Sequence, residues 1–168
     1  MNLHNISLRP WQREDAQALA AIANDRNIFN NVRDHLPHPY TVMDALQWIA
    51  HCKDQNPVIN FAVTYNGKVA GSIGCVPNKD VYRKSIEVGY FIGEQFKGLG
   101  IATEAVRILL EYIQHRFEVL RIYAEVFAHN KASMRVLQKN GFYLEGIRRK
   151  AVVKNNIIID DYVWVKLL

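Results

Sequence analysis

The apolar positions of this chain change period several times, and each change marks an element. Ile6 to Pro10 is a short strand-like run ended by a proline. Ala16, Leu19, Ala20, Ile22 and Ala23 then recur at three- and four-residue spacing, which predicts a helix over 14–24. Residues 25–40 are too rich in Asn and Pro for one long helix and predict a short helical piece followed by a partly exposed loop. Thr41 and Asp44 form an acidic version of the capping box ahead of Val42, Ala45, Leu46, Ile49 and Ala50, so another helix follows.

The period then falls to two. Runs at 60–65 and 69–76 flank Asn66-Gly67, a strong hairpin signal. After a polar turn at 78–84, Ile86, Val88, Tyr90 and Ile92 alternate with Glu87, Gly89 and Phe91 as a strand. Helical spacing returns in Ala102, Ala105, Val106, Leu109, Leu110, Ile113 and Phe117. A strand over 120–127, a helix over 132–140 closed by Gly141, and strands at 142–153 and 157–168 joined by Asn155-Asn156 complete the order βααβββαβαββ. No linker or internal repeat interrupts it, so residues 1–168 are expected to form one domain.

Composition narrows the classes. With 49% apolar and 22% charged residues in 168, the chain can bury one substantial core. Residues 1–5 carry neither a basic nor an apolar targeting pattern, and no apolar run reaches spanning length; a cytoplasmic protein without a membrane partner is expected. Cys52 and Cys75 have neither metal-ligand nor disulfide spacing and read as buried thiols. The six histidines include no His-x-x-x-His, and no metal is expected. A net charge of +5 admits nucleic acid, but ordinary solubility and a polyphosphate cofactor also account for it.

The chemistry concentrates in the turn between the Ile86 strand and the long helix, which reads Gln95-x-x-Gly98-x-Gly100. The first amides of a helix lack intrahelical partners and face outward at the positive end of its dipole, and glycines let backbone approach an anion closely. A diphosphate is the expected ligand. The Walker pattern fails because Ile101 and Ala102 follow Gly100, and the dinucleotide pattern fails because Thr103 stands where a third small residue is needed.

Strand, Gln95-x-x-Gly98-x-Gly100, Ile101-Ala102 and long helix resemble the pyrophosphate motif of the Gcn5-related N-acetyltransferase (GNAT) family. Asn130-x-x-Ser133 opening a helix that ends in Lys139-Asn140-Gly141-Phe142 resembles the same family's second motif, in the family order. The Pro37-His38-Pro39-Tyr40-Thr41 segment, Ile101-Ala102-Thr103-Glu104-Ala105 and the ending from Lys154 through Asp161 to Leu168 resemble the ribosomal-protein N-terminal acetyltransferase (RimJ/RimL-type) branch, with Asn156 replacing its glycine.

The resemblance implies an α+β fold, layered α/β/α: a mixed, mostly antiparallel seven-stranded sheet splayed between strands 4 and 5, with helices on both faces. It implies acetyl-CoA as cofactor, held by Phe91, Ile92, Gln95, Lys97, Gly98, Leu99, Gly100, Ile101, Ala102, Thr103, Asn130 and Ser133. Many members place a tyrosine, the acid for the leaving thiolate, where this chain has Leu137; Ser133 is the nearest replacement, as a hydrogen-bond donor. Asn130 can also simply cap its helix, and the two roles coexist. Glu87 is offered as the base that removes the amine proton; the alternative is a strand charge paired with Lys84 or Arg83. Phe29, Tyr40 and Asp161 are the residues expected to meet the acceptor.

The expected reaction is direct attack of a primary amine on the thioester, with a protein or peptide N-terminal α-amine as acceptor. A small-molecule acetyltransferase acting on a polyamine, aminoglycoside or amino acid is the second reading. It would draw on Asp25, Asp34, Asp44 and Asp161, while a non-catalytic basic binding module is the third. Nucleic acid is expected only indirectly, through a ribosomal substrate, and the protein as a monomer or homodimer.

Overall fold

The computed structural model describes residues 5–168; the amino-terminal pattern behind the expectation of no targeting segment falls, Asn5 apart, outside them. The chain divides into two compact units: residues up to Gly74 with Tyr90–Leu109, and Cys75–Gly89 with Leu110–Leu168. The seven strands are β1 (Ile6–Pro10), β2 (Asn60–Tyr65), β3 (Lys68–Pro77), β4 (Ser85–Ile92), β5 (Arg121–Phe127), β6 (Tyr143–Lys154) and β7 (Ile157–Leu167). They follow the order β1-β2-β3-β4-β5-β7-β6, with β4 parallel to β5 and the pairs β1–β2, β2–β3, β5–β7 and β6–β7 antiparallel. This is the mixed, mostly antiparallel sheet that the sequence predicts. No helix among the described residues is long and apolar enough to cross a membrane.

In the first unit, helices α1 (Ala16–Ala23) and α3 (Val42–Lys53) pack together, and between them lies α2, a single turn at Arg26–Phe29. Leu19, Ile22, Ala23, Ala45, Ile49 and Cys52 share a core with Ala62 and Val69 of the sheet. Burying one Leu or Ile side chain of this kind stabilises by about 1.5–3 kcal/mol, which offsets the weak intrinsic stability of helices this short. The first helix starts later than the pattern suggests. Gln12 and Asp15 form a reciprocal cap around a 3-10 turn at Arg13–Asp15, so the α-helix proper begins at Ala16. The Thr41–Asp44 capping box forms as read, with Asp44 N–H donating to Thr41 Oγ1 at 3.2 Å and Thr41 N–H to the Asp44 carboxylate at 2.8 Å.

The β2–β3 hairpin turns on Asn66 (φ 50°) and Gly67 (φ 76°), the left-handed pair of a type I′ turn. Its register slips near Val63/Thr64, with Val63 facing Gly71 but Thr64 facing Val69. Ala70 is the extra residue, and its carbonyl accepts the Gly93 N–H at 2.9 Å. In the second unit, helix α5 (Lys131–Lys139) ends at Gly141 (φ 81°), the expected C′ glycine. The β6–β7 turn uses Asn155 and Asn156 at φ 50° and 62°. Asparagine tolerates this left-handed region, so a tight turn forms here without glycine.

Candidate active site

The first unit holds the proposed cofactor loop. β4 leads through a 3-10 turn at Glu94–Phe96 into α4 (Ile101–Arg116). The turn is fixed by Phe96 N–H to Gly93 O at 2.9 Å and by an edge-on contact between the Tyr65 and Phe96 rings, 6.4 Å between centroids. Gly98 and Gly100 both adopt positive φ, 76° and 74°, where a side chain is strained. A Cβ on Gly98 would meet nothing within 4 Å, so backbone conformation and open space are what the residue supplies there. The first helical hydrogen bond runs from Glu104 N–H to Gly100 O, which leaves the amides of Ile101, Ala102 and Thr103 ahead of it at the positive end of a 16-residue helix.

That arrangement fits a diphosphate: left-handed glycines and an exposed approach at the positive end of a long helix. Gln95, Lys97, Gly98 and Gly100 are exposed, Leu99, Ala102 and Thr103 are half-buried, and Ile101 is core. Lys97 forms an ion pair with Glu94, which holds its ammonium beside the loop.

Phe91 and Ile92 belong to a close backbone approach that the sequence reading passed over. An added Cβ on Gly71 would lie 2.2 Å from the Phe91 carbonyl oxygen and 3.0 Å from the Ile92 Cα. Only glycine lets β3 run this near to the end of β4. The signal was present as a glycine inside the β-run Val69 to Val76.

The second unit holds Glu87, Asn130 and Ser133, the residues expected to be catalytic. The Asn130 side-chain oxygen accepts the Ser133 N–H at 3.1 Å, so the capping role exists. Both residues are half-buried at the start of α5. Leu137, at the place of the family's tyrosine, is fully buried. Glu87 is half-buried and pairs in register with Tyr123, as Ser85 does with Arg121; Lys84, one of its suggested partners, bonds Glu118 at 2.5 Å.

On that face, Tyr123, Glu125 and Phe127 of β5 stand beside Val165, Val163 and Asp161 of β7, with Arg148 of β6 opposite Asp161. Arg148 bonds the Glu125 carboxylate at 2.5 Å and also the Asp161 carboxylate. Burial works against the charged guanidinium, but its hydrogen bonds to Glu125 and Asp161 outweigh this and raise its pKa. Glu125 and Arg148 were not singled out from sequence, since only strand register brings residues so far apart in the chain together.

The expected acceptor residues divide. Phe29 is half-buried between the Arg26 guanidinium, 5.4 Å from the ring centroid, and the His38 ring at 5.3 Å. Tyr40 is core; burial, with the Asp44 and Cys52 charges adding to it, pushes its hydroxyl up to about 12, so it is no acid near neutral pH. Two of the four candidate acids are engaged as helix caps, Asp25 accepting from Asn27 and Ile28 N–H and Asp44 from Thr41. Cys52 and Cys75 are buried with thiols pushed up to about 12, which leaves neither a thiolate nucleophile. A cleft of about 230 Å³ beside Arg83, Lys84 and Phe117 contains none of the residues expected to act.

A family model described as "Acetyltransferase (GNAT) domain" matches residues 5–143, and the chain belongs to the GNAT acetyltransferase family. As a member of that family the protein is an acetyltransferase. It is 42% identical over 94 residues to the probable N-acetyltransferase YjcK of Bacillus subtilis, covering 54% of this chain and about half, 52%, of that protein. It is 32% identical to the putative ribosomal N-acetyltransferase YdaF of the same organism (98% of this chain, 91% of that one). It is 27% identical to the spermidine N(1)-acetyltransferase of Escherichia coli (85% and 75%). Among solved structures, the Microcin C7 self immunity acetyltransferase MccE, in complex with acetyl-CoA and AMP, superposes with a TM-score of 0.82 at 24% identity over 98% of this chain and 93% of that one.

Proposed function

We propose that the protein transfers the acetyl group of acetyl-CoA to the α-amine of a protein or peptide N-terminus, as a RimJ/RimL-type member of its family. The observation that carries this reading against a polycation acceptor is the use of Asp25 and Asp44 as helix caps, which removes two of four candidate acids from any acidic pocket. The relationship to YdaF, near full length on both sides, supports it further.

In this reading the diphosphate of acetyl-CoA lies on the amides of Gly98–Thr103, flanked by Gln95 and Lys97, and the thioester oxygen takes a hydrogen bond from backbone near Phe91 or Ile92. Asn130 holds an amide of the pantetheine arm. The neutral amine attacks the carbonyl carbon, the C–S bond breaks, and the amide and free thiol leave; no acyl-enzyme forms, consistent with buried, high-pKa cysteines. Ser133 hydrogen-bonds the departing thiolate, and Glu87 takes the amine proton directly or through water.

The test is thiol release from acetyl-CoA against peptides with free α-amines, polyamines, aminoglycosides and amino acids. Turnover with peptides above that with every small amine is expected. Preference for spermidine, the substrate in the name of one relative, would replace this reading with the small-molecule one.

A further inference from the structure

We infer that Glu125 and Asp161 form a receptor for the acceptor's ammonium group, and that the Arg148 guanidinium is its resident stand-in, displaced when a cationic acceptor arrives. One guanidinium, that of Arg148, is shared between the two carboxylates. Asp161 is only 2% exposed, and among the described residues its Oδ1 is buried with no hydrogen-bond partner, although its other oxygen bonds Arg148. A buried carboxylate oxygen left unpaired is costly, and a primary ammonium, with three donors in a compact head, suits the remaining acceptor positions.

Arg148 is suited to leaving. Its side chain is 49% exposed, while that of Asp161 is 3% and that of Glu125 is 22% exposed, so the cation can swing toward water and the carboxylates cannot. The place is also right: Asp161 faces Phe127, whose carbonyl accepts the Asn130 N–H at 2.8 Å, so the cluster adjoins the start of α5. A consequence follows for turnover. Once the ammonium has given one proton to Glu87 or to water, the neutral amine attacks the thioester carbon, the C–S bond breaks, and the second proton leaves with the thiol; the product amide has no charge to offer the carboxylates, so Arg148 returns and the product is released. This rests on the reading of the chain as an amine acetyltransferase.

The probe is n-butylamine, ionised at neutral pH, with its product N-butylacetamide as the uncharged control. In ¹⁵N-labelled protein, the Arg148 Nε–H resonance, assigned by its loss in Arg148→Lys, should shift on titration with butylammonium and stay still with N-butylacetamide or sodium chloride at equal ionic strength. Arg148→Met should bind butylammonium about ten-fold more tightly, since no internal cation competes. Glu125→Gln, at the more exposed carboxylate, should weaken binding about ten-fold while melting near the parent temperature. An unmoved Arg148 resonance, or equal affinity in folded Glu125→Gln, would overturn the receptor. Thiol release with butylamine is measured separately: turnover with an unmoved Arg148 refutes the receptor alone, and displacement without turnover on any amine refutes the transferase reading alone.

Discussion

The Asn130 side-chain oxygen accepts the Ser133 backbone N–H at 3.1 Å, tying two residues expected in catalysis to each other before any ligand arrives. The bond fixes the carboxamide, so its amino group has a defined direction in which to meet a pantetheine carbonyl.

Asn130→Ala and Asn130→Asp separate the two duties. Alanine removes the cap and should cost about 1 kcal/mol of stability. Aspartate keeps the accepting oxygen, at a helix end that favours negative charge, but lacks the donor. It should melt like the parent while its KM for acetyl-CoA rises about ten-fold, equivalent to about 1.4 kcal/mol. Equal KM in Asn130→Asp and parent would leave the residue a cap only.

The glycine loop can be tested against an internal control. Gly98 and Gly67 share φ 76° and have nothing within 4 Å of an added Cβ, so alanine at either should cost about 1 kcal/mol through backbone strain. Only Gly98→Ala should also weaken acetyl-CoA binding, because Gly67 serves the β2–β3 turn. Gly100→Val should weaken it more strongly still. Calorimetry giving parent affinity for folded Gly98→Ala and Gly100→Val would remove the diphosphate from this loop.

Local chemistry made much of this legible in the sequence. Asn66-Gly67, Thr41 with Asp44, Gly141 and the Gly98/Gly100 pair each write their conformation into a few adjacent residues, and the structure places each in that conformation. What depended on register was not legible. Gly71 matters because of where β4 passes, and Arg148 matters because β6 sets it opposite Asp161. The start of α1 was misplaced for a related reason: Asp15, a helix residue by pattern, is taken up by Gln12 N–H and by Arg9 from the neighbouring strand.

That Asp15 pair predicts acid sensitivity. Burial raises the Asp15 pKa, but the Arg9 guanidinium, bonded at 2.6 and 2.7 Å, and the Gln12 N–H outweigh it and hold the carboxyl below its ordinary value. A folded pKa below the unfolded one means the pair's contribution is complete above about 3.9 and is lost as pH falls through the folded value. Asp15→Asn should therefore melt below the parent at pH 7, with the gap closing below about pH 4. A gap that stays constant into acid would show that the ion pair contributes nothing.

Gly71→Ala tests the backbone approach at the end of β4. The new methyl cannot coexist with a carbonyl oxygen at 2.2 Å, so the strands must move apart, at roughly 1–3 kcal/mol. If backbone at Phe91 or Ile92 polarises the thioester, kcat should fall by about 10² or more in the folded variant, the scale of losing one oxyanion donor. Unchanged kcat would place that donor elsewhere.

Ser133→Ala addresses the leaving group. Charge grows on sulfur only as the C–S bond breaks, so a hydroxyl that bonds the thiolate stabilises the transition state more than bound acetyl-CoA. The backbone N–H of Ser133 donates to Asn130, and alanine keeps that N–H and the cap with it. Melting temperature should therefore barely change, while kcat drops by about ten- to a hundred-fold and KM for acetyl-CoA holds within about two-fold. The loss should shrink with an acyl donor whose leaving thiol is more acidic, since a better leaving group needs less help. A variant that changes only KM would make Ser133 a binding residue, and the thiolate would then leave with a proton from water.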